Sequence, residues 1–125
     1  MPNYSFDHVH LFSQDPLKTA EFYEKMLGAT HIGTRDRGNG LVSINLNLNG
    51  TPILVSNTPG DNAQTGLGHF GIQTDNLEEA VDELKAKGVK FTQEIKEIQP
   101  GFKISFFTGP ENVSVELMEG SVQFP

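Results

Sequence analysis

The chain has no cysteine among its 125 residues. That excludes disulfide staples, thiolate chemistry and cysteine-ligated zinc together. A basic cluster is also missing. The nine basic residues, among them Arg35, Arg37 and Lys103, are scattered among 16 acidic ones, giving a formal net charge of -7 and a pI near 4.9. Such a field repels nucleic acid and anionic membrane surfaces, so neither is expected as a partner. No run approaches the ~20 apolar residues of a membrane span. The opening MPNYSFDHVH has neither a basic region nor the apolar core of a signal peptide, and a soluble, cytoplasmic protein is expected.

What is present is turn-rich and globular: 13 Gly, 7 Pro and 36% hydrophobic residues, enough for one compact domain over 1–125. The order of elements occurs twice. FDHVHLF alternates, placing Phe6, His8, His10 and Phe12 on one strand face. SQDPLKTAEFYEKMLG then predicts a helix, with Asp15 able to cap, Pro16 in the first turn and Gly28 at the stop. Leu17, Ala20, Tyr23 and Leu27 form its apolar stripe, and strands follow near 30 to 36, 41 to 48 and 52 to 57.

The second half repeats this plan. GHFGIQT predicts a strand, DNLEEAVDELKAKG a helix with Leu77, Ala80, Val81 and Leu84 inward, and three strands follow near 90 to 95, 102 to 108 and 113 to 118. Module one thus covers about 5–57 and module two about 67–120, joined by a polar linker at 58–66. His8 and His69 lie 61 positions apart, and Gly28 and Gly88 lie 60 apart. The expected fold class is α+β: two βαβββ modules forming an incomplete eight-stranded cup-like barrel with helices outside.

Alternation points three polar residues toward the interior of such a cup. His8 and His69 hold equivalent strand positions, and Glu116 in VSVELME shares a face with Ser114 and Met118. Two imidazoles and one carboxylate make a facial triad that leaves metal positions open for water or substrate. Taken singly, each residue has an ordinary alternative as a satisfied core histidine or a solvated carboxylate, and periodicity alone does not choose.

The residues also match a family. FDHVHLFSQDPLKTAEFYEKMLG resembles the opening of the vicinal oxygen chelate superfamily, which includes glyoxalase I, methylmalonyl-CoA epimerase, extradiol dioxygenases and the fosfomycin- and bleomycin-resistance proteins. LGHFGIQTDNLEEAVDELKAKGVKF resembles its second module and FFTGPENVSVELME its closing strands. The resemblance implies that His8, His69 and Glu116 fall on metal-ligand positions, that one divalent ion (Fe, Mn, Ni, Co or Zn) is the cofactor, and that small-molecule substrates chelate it through neighbouring oxygens. It also implies a homodimer. Glyoxalase I carries a fourth ligand at the end of module one. Here that strand reads TPILVSN, with Leu54 or Val55 at the corresponding spot, and neither binds metal.

The expected function is therefore a metal-dependent lyase or isomerase. Alternatives are a ferrous extradiol-type dioxygenase, a fosfomycin-type thiol transferase, or a non-catalytic drug-binding protein of the bleomycin-resistance kind. Glu116 and His10 are the candidates for proton transfer. Gln73, Arg37, Lys103, Phe106 and Tyr23 are candidates for the substrate pocket, although each also has a structural explanation at a strand end, a turn or the core.

Overall fold

The computed structural model describes residues 2–57 and 65–123. Its elements are β1 (Tyr4–Phe12), α1 (Pro16–Leu27), β2 (Thr30–Gly38), β3 (Leu41–Leu48), β4 (Thr51–Ser56), β5 (Gly66–Thr74), α2 (Leu77–Ala86), β6 (Phe91–Gln99), β7 (Phe102–Thr108) and β8 (Ser114–Glu119). The repeated βαβββ order read from the sequence is the order observed. Strand ends differ by a few residues, most at β6, which runs on to Gln99. The linker expected at 58–66 lies outside the described residues up to 64.

The chain forms two compact units. The first comprises residues 8–68; the second comprises 69–123 together with 2–7. In the first, the strands lie in the order β2-β3-β4-β1, with β1 parallel to β4 and the other pairs antiparallel. In the second the order is β5-β8-β7-β6, with β5 parallel to β8. Each sheet places one face on a helix.

Local chemistry explains the helices. The Asp15 side chain accepts from the Lys18 N–H at 3.2 Å, Pro16 occupies the first turn, and Gly28 ends α1 at φ 76, a left-handed value that glycine takes without strain. The Asn76 side chain caps α2 by accepting from the Glu79 N–H at 3.1 Å. In the first unit Ala20 and Ala29 pack with Ile44, Leu46, Ile53 and Val55, flanked by Val9, Leu11 and Tyr23. In the second, Leu77, Ala80 and Val81 pack with Leu117, flanked by Ile72, Leu84, Phe91 and Phe107. The α2 stripe is the expected one. The α1 stripe is narrower than expected, because Leu17 and Leu27 are 68% and 55% exposed and only its middle, Ala20 and Tyr23, meets the sheet.

These two cores decide which side chains face away from the helices. Alternation puts Ser43, Asn45, Leu54, Ser56, His8 and His10 on the face of the first sheet turned away from α1. On the second sheet it puts His69, Gly71, Gln73, Glu116, Met118 and Phe106 there.

Candidate metal centre

Within the second unit, His69 on β5 and Glu116 on β8 converge. His69 Nε2 lies 3.4 Å from Glu116 Oε1, and both residues are 8% exposed. The register explains the approach. Gly71, two residues beyond His69 on the same face, is the direct partner of Glu116, and its missing side chain leaves room for the carboxylate to lean toward the imidazole. Phe106, the partner of Glu116 on β7, sets its ring edge-on to His69 at 5.0 Å between centroids. Ile104 and Met118 form the next cross-strand pair on this face. A nitrogen donor and an oxygen donor thus meet against an apolar wall, where burying a carboxyl group is costly unless it is paired or binds a cation.

Within the first unit, His8 is 2% exposed and its ring lies 6.3 Å from that of His10. His10 Nε2 is 2.6 Å from Ser56 Oγ, and Ser56 is 1% exposed. The His10 ring also packs on Phe12 at 4.8 Å. His8, His10 and His69 each offer a ring nitrogen able to ligate a metal. His31, the fourth histidine, contacts Thr34 Oγ1 at 2.7 Å on the exposed surface.

The register also identifies the counterpart of Glu116. On β5 and β8, Gly71 pairs with Glu116; on β1 and β4, His10 pairs with Leu54. His10 stands two residues after His8 as Gly71 stands two after His69. Leu54 is therefore the equivalent position, while Val55 faces the α1 core with no exposure.

The remaining candidates are placed as follows. The Gln73 side-chain amide donates to the Gly120 carbonyl at 3.0 Å. Lys103 pairs with Glu78 at 3.2 Å and reaches Glu119 at 3.9 Å, and these carboxylates hold its ammonium above the ordinary value. Arg37 donates to the Asn57 carbonyl at 2.6 Å; burial, and after it the charge of Arg35, lowers its guanidinium pKa from the ordinary value. Tyr23 packs against the first core, meets the Phe22 ring edge-on at 5.2 Å, and lines a cavity of about 440 Å³ with Phe12, Ser13 and Thr19. Sequence reasoning passed over Ser56. Its signal was the even spacing that places it on the face of Leu54, opposite the core residues Ile53 and Val55.

The sequence profile of the Glyoxalase/Bleomycin resistance protein/Dioxygenase superfamily matches residues 5–117. The chain belongs to this superfamily. An uncharacterised Bacillus subtilis protein, YwkD, is 29% identical over 123 residues, covering 92% of this chain and 96% of that one. The lactoylglutathione lyase of Schizosaccharomyces pombe is 28% identical over 142 residues, covering 94% of this chain but 45% of the yeast protein, so the chain spans less than half of that relative. Among solved structures, methylmalonyl-CoA epimerase from Mycobacterium tuberculosis superposes with a TM-score of 0.77 at 19% identity, covering 94% of this chain and 88% of that one. The superfamily chain thus carries the glyoxalase-type α+β fold.

Proposed function

We propose that the protein is a divalent-metal-dependent enzyme of lyase or isomerase type, acting on a small molecule that chelates through vicinal oxygens, with His8, His69 and Glu116 as the metal ligands. The observation that carries the reading is the buried His69–Glu116 pair at 3.4 Å, an N/O donor set suited to a borderline divalent ion, with the Phe106 ring edge-on to His69. The nearly complete burial of His8 on the equivalent strand position supports it. The names of the yeast lyase and the mycobacterial epimerase place both reaction classes among similar proteins.

When bound, such an ion acts as a Lewis acid that polarises a substrate oxygen. The chain's own groups do the rest. Phe106 fixes the plane of His69 and keeps water from one side of it. Glu116 accepts a proton at a carboxylate oxygen, and His10, oriented by Ser56, is the second group in reach of proton transfer. Leu54 supplies neither ligand nor base, which disfavours chemistry needing two opposed carboxylates. A homodimer in the cytoplasm belongs to the same proposal; the exposed Phe22, Met26, Leu27 and Ile32 of the first unit are its support, and light scattering tests the dimer.

The experiment is metal analysis of protein purified without chelator. About one ion per chain is expected, falling to background in His8→Ala, His69→Ala and Glu116→Ala variants that remain folded. A metal-supplemented wild-type protein with no stoichiometric ion would overturn the reading.

A further inference from the structure

The face of the first sheet turned away from α1 carries more polar chemistry than its one proposed ligand, His8, and the proton carrier His10 require. Arg35 on β2 pairs with Ser43 on β3, Ser43 pairs with Ser56 on β4, and Ser56 pairs with Phe12 on β1. Directly opposed residues share a face with Cβ atoms about 4.5–5.5 Å apart, so these four form one row across the sheet. Ser43 and Ser56 are 9% and 1% exposed, Arg35 is half-buried, and Ser56 continues the row to His10 through its 2.6 Å contact. On β3 and β4 the intervening residues Val42, Ile44 and Val55 face α1, so the polarity of those two strands is confined to the opposite face.

Charge favours an anion at the β2 end. The chain is acidic overall, yet Arg35 and Arg37 lie near enough for the first to act on the second. Arg37 is committed to the Asn57 carbonyl. Asp36 lies between them in sequence but opposes Val42 on the helix side, where its carboxylate accepts from the Gly38 N–H at 2.8 Å. A planar guanidinium beside a hydroxyl row suits a planar, two-oxygen anion.

We propose that Arg35, Ser43 and Ser56 form a binding track for a carboxylate at the far end of the substrate. Arg35 lies three strands from β1, so it holds the end of the molecule remote from the reacting atoms, and the substrate is an acid with an extended carbon chain. The assignment rests on the proposed function only in treating this face as the substrate side.

Isotope-labelled, chelator-treated protein titrated with glutarate tests it, with pentanediol as the uncharged match and inorganic phosphate as an anion of different geometry. Glutarate is expected to shift the backbone amides of Arg35, Ser43 and Ser56, and Arg35→Gln to weaken its apparent Kd by about tenfold or more. Ser43→Ala, which keeps the charge, should weaken it less. Equal shifts with pentanediol, tighter binding of phosphate at the same amides, or an Arg35→Gln Kd equal to wild type would overturn the proposal. Metal plays no part in this readout, so the track and the metal centre can fail independently.

Discussion

The two units build the same four-strand sheet on one helix, yet at one pair of facing positions their chemistry is exchanged. The second unit pairs Gly71 with Glu116, and the first pairs His10 with Leu54. Where the glycine leaves space, a buried carboxylate reaches its neighbouring histidine. Where leucine replaces the carboxylate, a histidine fills the space and turns to Ser56 instead. A repeat that keeps its fold can thus specialise its halves, because the residues on the face away from the helix are not those that pack the helix onto the sheet.

The strongest way to break this comparison is to give the second unit the first unit's residue. Glu116→Leu should abolish stoichiometric metal, read by metal analysis. It should leave the metal-free protein folded but with a lowered urea midpoint, because leucine fills the space of the carboxyl group while the buried His69 loses its partner. Loss of metal accompanied by unfolding would make Glu116 a packing residue.

A second test asks whether the helix-side faces are as equivalent as they look. Leu77 has no exposure in the second core, and Leu77→Ala should cost about 2–5 kcal/mol in urea denaturation. Leu17 stands near the start of α1 but is 68% exposed, so Leu17→Ala should stay within about 0.5 kcal/mol of wild type. A comparable loss in both would show that Leu17 is covered in solution.

The same contrast shows what could be read from the chain alone. The helix ends at Asp15 and Gly28 are local chemistry and the apolar stripe of α2 is periodic, so α1 and α2 were legible, as was the doubled element order. The sheet face that His69 and Glu116 share was legible because alternation places each opposite core residues. The choice between Leu54 and Val55 was not, since a one-residue difference in offset exchanges sheet faces and only the β1–β4 register decides it. The exposure of Leu17 and Leu27 was hidden for a related reason: helical periodicity marks a stripe but not how far along it the sheet extends. Ser56 gave no composition signal, because its importance lies in a contact with His10 from 46 residues away.

Ser56→Ala is the next smaller test. Removing the hydroxyl strips a buried contact from His10, and a loss of about 1–3 kcal/mol is expected. The His10 ring-nitrogen resonances should shift while those of His69 stay in place, since the second unit contains its own partner for that ring. Unmoved His10 resonances would sever the proposed orienting role.

The smallest expected effect concerns the residues before the helix caps, where the second unit has Asp75 and the first has Gln14. Asp75 accepts from the Asn3 backbone N–H at 3.0 Å and from its side-chain amide at 3.2 Å, and the backbone bond is the main cause lowering its carboxyl pKa. A carboxylate with a lowered folded-state value stabilises the fold fully above the unfolded value, about 3.9, and loses that contribution as pH falls through the folded value. Asp75→Asn should therefore lower the urea midpoint slightly at neutral pH, with the gap closing as the pH drops below that range. Gln14→Ala, which alters no carboxylate, should show a pH-independent difference. A gap for Asp75→Asn that persisted unchanged into acid would mean that the Asn3 contacts do not depend on the charge.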